Sequence, residues 1–191
     1  MKKTSVVLFA SVVLLALFAC PKVTAQSAGS KTYKIGDTGP GGGIVFYDKG
    51  FTEGGWRYLE AAPAGKEFAA IWGPRDTNVA GTETKVGSGK RNTELIVAAL
   101  GENGKAAKLC ASLNFNGRND WFLPSRDELD LMYNSLARVG LGNFLSGAYW
   151  SSSQVGGNYP NVAWAQRFSD GSQSNVHLQE FTLLVRAVRA F

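Results

Sequence analysis

Few residues in this chain could make or break bonds. Its single histidine, His177, stands on a strand-like segment without an HExxH pattern or a second histidine, so a hydrolytic metal lacks its ligand set. Cys110 lies in Lys105 to Leu113, where Ala106, Leu109, Cys110 and Leu113 share a helical face, which makes it a buried, inert thiol. No GxSxG nucleophile elbow occurs. Asp127 and Glu128 are neighbouring carboxylates, but adjacent residues on a helix point in different directions. The run Gly36-Asp37-Thr38-Gly39-Pro40-Gly41-Gly42-Gly43 invites comparison with a phosphate loop. Phosphate loops, however, follow a strand, open a helix and end in lysine with serine or threonine, whereas these glycines precede Ile44-Val45-Phe46-Tyr47. They predict a tight turn feeding a strand. These residues imply no catalytic centre, no cofactor and no metal.

Recognition is better supplied. Asn158, Tyr159, Asn161, Asp170, Ser172, Gln173 and Asn175 combine amides, hydroxyls and one aromatic ring in the loops between late strands. Amides and hydroxyls match the donors and acceptors of a sugar, and a ring covers its apolar face. The same residue types also build turns. Lys105, Arg118, Arg126 and Arg138 offer charge to a sulfated polysaccharide, although scattered arginines are usually a solvated surface.

The element that must position these groups is Gly117 to Leu136, GRNDWFLPSRDELDLMYNSL. Ser125 followed by Glu128 is a capping box that starts a helix near Arg126. Pro124 precedes the cap without disturbing the ladder, and Asp127 with Glu128 suits the positive end of the helix dipole. Leu129, Met132, Tyr133 and Leu136 recur at helical spacing, and the helix is expected to end near Arg138 to Gly140. Trp121, Phe122 and Leu123 form an apolar plug against it.

Upstream, Ile44–Tyr47 and Trp56–Ala61 predict a hairpin joined through Gly54-Gly55. Residues 63–90 read as a long surface excursion pinned by Trp72, and loops of that length are usually functional or ordered by their own packing. Asn92 is expected to cap a helix bearing Leu95, Ile96, Ala99 and Leu100, closed by Gly101, with a second helix over 104–113. The last third predicts strands at 149–153, 163–168, 173–178 and 183–191, with Asp170-Gly171 turning one hairpin. Trp150 and Trp164 are expected in the core. Whether Arg186 and Arg189 share a face depends on a bulge that sequence does not resolve.

The leading segment reads as an export signal. Lys2 and Lys3 precede an apolar run from Ser5 to Cys20 that is too short to span a bilayer comfortably. Two processing sites compete. Cleavage after Val23-Thr24-Ala25 would leave residues 26–191, and Leu17-Phe18-Ala19-Cys20 resembles a loose lipobox in which Cys20 would be acylated after loss of residues 1–19. Either places the domain outside the cytoplasm, in the periplasm, outer membrane or cell surface, with the membrane reached only through a lipid anchor. Losing Lys2, Lys3 and Lys22 lowers the net charge of +5 by three, to +2. That balance carries no nucleic-acid footprint. Residues 26–34 form a flexible tether, and 35–191 one domain.

Five blocks carry a resemblance: Gly39-Pro40-Gly41-Gly42-Gly43-Ile44-Val45-Phe46-Tyr47, Gly55-Trp56-Arg57-Tyr58-Leu59-Glu60-Ala61-Ala62-Pro63, Asp120-Trp121-Phe122-Leu123-Pro124-Ser125 with Glu128-Leu129, Tyr149-Trp150-Ser151-Ser152-Ser153, and Val185-Arg186-Ala187-Val188-Arg189. In this order they resemble the domain at the carboxy end of the Legionella collagen-like adhesin, a domain of unknown function. The resemblance implies an α+β, C-type-lectin-like fold related to sulfatase-modifying-factor domains, with first and last strands paired, two to three helices between, and a second small antiparallel sheet carrying long loops. It also implies a surface-adhesion role toward polysaccharide or glycoprotein. The lectin calcium triplets are missing, and the lone helical Cys110 does not resemble sulfatase-modifying cysteine chemistry. The expectation is therefore a binding domain without catalysis, or alternatively a structural envelope lipoprotein that serves as an assembly module.

Overall fold

The computed structural model describes residues 31–156 and 159–191. The leading apolar run, Cys20, both processing sites, residues 26–30 and Asn158 lie outside the described residues.

The described residues form a mixed α+β domain with three helices and two sheets. Strand β1 (Ile44–Glu53) turns through Gly54 and Gly55, both at positive φ, into β2 (Trp56–Ala61), as the sequence predicts. Positive φ at both central positions is what a tight hairpin turn requires. β1 runs past Tyr47 because register shifts carry the pairing on to Glu53 with Trp56. After a 3₁₀ turn at 64–66 comes β3 (Phe68–Ala70), a strand too short to leave an alternation in the sequence. Helices α1 (Gly89–Leu100), α2 (Lys105–Ala111) and α3 (Arg126–Ser135) follow. Gly101 ends α1 at φ 53°, and a 3₁₀ turn over 137–139 carries the chain from α3 to Gly140.

The last third supplies β4 (Ala148–Gly156), β5 (Tyr159–Arg167), β6 (Gln173–Leu178), β7 (Leu183–Val185) and β8 (Val188–Ala190). The segment expected as one final strand is two, because the chain leaves one sheet at Arg186-Ala187 and joins the other. The sheets run β1-β2-β8 and β3-β7-β4-β5-β6. The first and last of the described strands thus share a sheet, with β2 bonded to each of β1 and β8.

Two apolar clusters hold this arrangement. Phe46, Leu59, Phe122, Leu129, Met132 and Tyr149 pack between the three-stranded sheet and α3. Trp72, Ile96, Cys110, Leu123, Trp150 and Val185 pack between the five-stranded sheet, α1 and α2. Trp121, Trp150 and Pro124 are buried, and Trp56 is half-buried with the Lys49 ammonium 3.9 Å from its ring centroid. Trp164 is also half-buried and does not enter the core. Its strand alternation turns it toward the outer face of the sheet. Tyr33, assigned to the tether by sequence, packs edge-on to Tyr58 and Phe191 at 5.4 and 5.2 Å.

Candidate functional site

The site begins with β4, whose Trp150-Ser151-Ser152-Ser153-Gln154 run is buried throughout. A buried hydroxyl or amide is costly unless it is partnered, and each of these partners another segment. Ser153 Oγ donates to the Glu83 carbonyl at 2.7 Å and accepts from Arg126 N at 3.0 Å. Gln154 accepts from Val79 N at 2.7 Å and donates to the Thr77 carbonyl at 2.6 Å. Trp72 Nε1 donates to the Ser151 carbonyl at 2.9 Å. Asn92 was expected as a helix cap but lies inside α1, buried, because its amide grips the backbone of Glu83. It accepts from Glu83 N at 2.9 Å and donates to Glu83 O at 2.7 Å. The excursion over 71–88 is therefore an ordered wall, stitched to β4 and α1 by side-chain hydrogen bonds.

Glu128 joins this wall to α3. The capping box is complete: Ser125 N donates to Glu128 Oε2 at 2.7 Å, and Glu128 N donates to Ser125 Oγ at 3.2 Å. The same carboxylate reaches further, accepting from Gly87 N at 2.8 Å through Oε1. It thereby satisfies backbone donors at the starts of both α1 and α3. A Cβ on Gly89 would stand 2.1 Å from Oε2, so only glycine fits there. Burial pushes the Glu128 carboxyl up to about 7, against the opposing pull of these backbone donors.

An open cleft of about 510 Å³ lies between this wall, the first residue of α3 and the outer face of β4 and β5. Thr82, Thr84, Lys85, Arg126, Gln154 and Trp164 line it. The Arg126 guanidinium sits 5.0 Å from the Trp164 ring centroid, and its Nε donates to Asp127 Oδ1 at 2.8 Å. Stacking on an indole and pairing with a carboxylate both hold the guanidinium plane in place. The cleft thus combines an aromatic surface, a carboxylate-paired cation and threonine hydroxyls on a hydrogen-bonded floor.

Residues 65–189 match the Lcl C-terminal domain family. The chain belongs to that family. No curated protein matches it. The Lcl C-terminal domain is an adhesin-associated domain, and its match takes in the long wall, all three helices, the cleft and the second sheet. The glycine run and the whole of the first hairpin precede the matched residues.

The structure divides the recognition residues proposed from sequence. Tyr159, exposed, and Asn161 stand at the β4–β5 end of β5, where Gly156 pairs with Tyr159. Asp170, Ser172 and Gln173 stand at its far end, where Gln166 pairs with Gln173. Nine strand residues at about 3.3 Å each separate the ends by roughly 25 Å, so one small ligand does not meet both. Asp170 is occupied within its own turn, accepting from Ser172 N at 2.9 Å and Ser172 Oγ at 2.7 Å. Asn175 is exposed on β6. Gln173 is the member nearest the cleft, with Nε2 3.4 Å from the Arg126 carbonyl. Of the four cations weighed with them, Arg126 alone lines the cleft.

Other sequence-marked groups have internal occupations. The glycine run wraps a carboxylate of its own chain: Gly41 N and Gly43 N donate to Glu60 at 2.9 and 3.0 Å. Arg189 Nη1 donates to the same carboxylate at 2.8 Å, and its Nε donates to Asp120 at 2.5 Å. Arg186, also buried, pairs with Glu67, which in turn accepts from the Tyr149 hydroxyl. Cys110 is fully buried, and burial pushes its thiol far above the ordinary range. Among the described residues no group of three or more His, Cys, Asp or Glu side chains could hold a metal ion.

The cleft is not legible in the sequence because Trp164 reads as core and residues 82–85 fall within the surface excursion, whose partners on β4 lie about 70 residues away. A signal existed: Trp164 alternates with Ala163 and Ala165, the small residues that strand geometry sends to the opposite face.

Proposed function

We propose that this Lcl C-terminal domain is an exported, non-catalytic adhesion module that recognises polysaccharide or a surface glycoprotein through the cleft over Trp164. The observation that carries this reading is the Arg126–Trp164 stack on a floor fixed by buried hydrogen bonds. Sugars present apolar faces and dense hydroxyls, so an indole edged by threonines and an amide suits them. The fixed guanidinium adds preference for a carboxylated or sulfated unit, because its planar fork matches such oxyanions. Preorganisation matters here, since an ordered wall removes the entropy that a mobile loop would lose on binding.

Binding of the mature protein to an array of neutral and acidic polysaccharides tests this. Trp164→Ala and Arg126→Gln are each expected to weaken capture by about tenfold, equivalent to roughly 1.4 kcal/mol, with Arg126→Gln acting on acidic glycans only. Tyr159→Ala is expected to bind as the parent does. Loss of binding in Tyr159→Ala with retention in Trp164→Ala would move the site to the hairpin tip and refute the cleft.

A second reading rests on a different observation. Ile35, Val139, Leu141 and Leu145 are exposed apolar side chains, and Gly36 lies against Leu141 where the chain enters the domain. An envelope lipoprotein anchored through Cys20 would present that end to a neighbouring envelope protein. Capture of a defined envelope partner that is lost in Leu141→Ser and kept in Trp164→Ala would favour this assembly role over adhesion.

A further inference from the structure

The end at which the chain enters the domain carries exposed aliphatic side chains. Among the described residues seven large apolar side chains are exposed, and Ile35, Val139, Leu141 and Leu145 are four of them. Three of these four fall within residues 139–145. Ile35 joins them through its neighbour Gly36, where a Cβ would stand 3.4 Å from Leu141 Cδ1. Scattered apolar residues are ordinary on a surface, whereas a cluster marks a place of interaction.

The segment that presents this cluster is held by the core. Leu141 N donates to the Leu136 carbonyl at 2.9 Å, Leu145 N donates to the Tyr149 hydroxyl at 2.9 Å, and the buried Arg186 donates through Nη1 to the Gly142 carbonyl at 3.3 Å. Phe144 packs inward, its ring centroid 5.1 Å from that of Phe168 and 4.3 Å from the Arg186 guanidinium carbon. The segment thus gives its one aromatic ring to the core and keeps its aliphatic side chains outside.

Charge and composition indicate what covers them. Lys34 and Arg138, exposed and next in sequence to Ile35 and Val139, form no ion pair among the described residues. Residues 31–37 and 138–146 contain three cations, Lys31, Lys34 and Arg138, against one acid, Asp37, which accepts from Lys34 N at 2.9 Å. Protein interfaces are anchored chiefly by tryptophan, tyrosine and arginine set in fitted pockets. Exposed aliphatic side chains beside unpaired cations suit a bilayer instead, where carbon meets the acyl boundary and the cations meet headgroup phosphates. The leading chain is also the right length. Cys20 stands eleven residues before Lys31, a span of at most about 40 Å, so an acyl chain there would keep this end near the membrane. We propose that this end of the domain docks on an anionic phospholipid surface, with Ile35, Val139, Leu141 and Leu145 entering the headgroup boundary and Lys34 and Arg138 pairing with lipid phosphates. It gives to lipid the end that the assembly reading gives to a protein, and it does not involve the cleft over Trp164. One acyl chain holds a protein only marginally, so this face supplies the second contact that stable anchoring needs.

Residues 26–191, which include every described residue and carry no acyl chain, are tested by flotation with vesicles of phosphatidylcholine alone or mixed equally with phosphatidylglycerol. Binding to the mixed vesicles is expected to be about tenfold tighter than to phosphatidylcholine. Lys34→Gln combined with Arg138→Gln should erase that preference. Leu141→Ser combined with Leu145→Ser should weaken binding to the mixed vesicles by about tenfold, and an unchanged thermal midpoint shows that the variant is folded. No binding to either vesicle, or binding that the leucine pair leaves unchanged, overturns the proposal. A homodimer or a complex with an envelope protein that the leucine pair disrupts, without vesicle binding by the parent, overturns it in favour of a protein on this face. Trp164→Ala is expected to bind vesicles as the parent does, and the leucine pair to keep polysaccharide capture, which separates this outcome from that of the cleft.

Discussion

Replacing Glu128 with glutamine tests the junction on which the cleft wall depends. In the folded protein the carboxyl is buried and pushed up to about 7, against an ordinary 4.5. Between those values the folded chain holds a proton that the unfolded chain has released. Stability contributed by that proton is present at pH 4.5 and is lost as pH rises toward 7, with no further change from this group above that. A displacement of that size corresponds to roughly 3 kcal/mol, at about 1.4 kcal/mol for each pKa unit. Urea denaturation of the parent and Glu128→Gln at intervals from pH 4.5 to 8 isolates the effect, since all other titrating groups are common to both proteins. Glutamine should also turn an NH₂ toward Ser125 N or Gly87 N, leaving a backbone donor unpaired at a cost of about 1–3 kcal/mol at every pH. The stability gap between the two proteins should therefore be widest near pH 4.5 and narrow by pH 7. A gap that stays constant, or that widens as pH rises, would refute the reasoning and show that the backbone donors outweigh burial and keep Glu128 ionised throughout.

Ser125→Ala should lower stability by about 1–2 kcal/mol in the same denaturation assay, because the cap and the 2.9 Å bond from Ser125 Oγ to the Lys85 carbonyl are lost together. Arg189→Met should cost about 3–5 kcal/mol by thermal or chemical unfolding, since Glu60 would remain buried without its cation. Cys110 should resist thiol reagents in the native protein and react at once in denaturant, and native-state labelling at the unfolded rate would contradict its burial. Gly41→Ala should destabilise strongly, because its Cβ would meet Glu60 Oε1 at 2.6 Å and Trp121 Cζ2 at 3.1 Å.

What sequence could show depended on the range of the interaction. The capping box at Ser125 and Glu128, the Gly54-Gly55 turn and the Asp170-Gly171 turn are local, and all three stand where their residues predict. The long excursion's anchors are distant in sequence: Ser153 holds Glu83 and Gln154 holds Thr77 across 70 and 77 residues. A serine run cannot announce such partners, since serine is equally at home in a turn. Asn92 misled for a related reason. Its residue type suits a cap, but a tertiary bond to Glu83 offered its amide a better use inside the helix. The arginines were the clearest omission. In Leu183-Leu184-Val185-Arg186-Ala187-Val188-Arg189-Ala190-Phe191 a cation among apolar and small residues, with no turn signal near, points to a buried ion pair. The partners Glu67 and Glu60 lie 119 and 129 residues away.

These distant bonds tie the stability of the fold to the recognition proposed for the cleft. Arg126 is the first residue of α3, so its backbone N–H is a free helix-start donor, and Ser153 of β4 takes it. The same serine hydroxyl donates to Glu83 in the cleft wall, so a single oxygen fixes helix, sheet and wall against one another. The guanidinium of Arg126 is thereby delivered over Trp164 from a backbone that cannot drift. Ser153→Ala should consequently do more than lower stability. With the wall and the helix start released, the Arg126–Trp164 stack loses its support, and polysaccharide capture should fall although neither ring nor guanidinium has changed. Stability lowered with capture intact at saturating protein would show that the cleft is held by Trp164 and Arg126 alone.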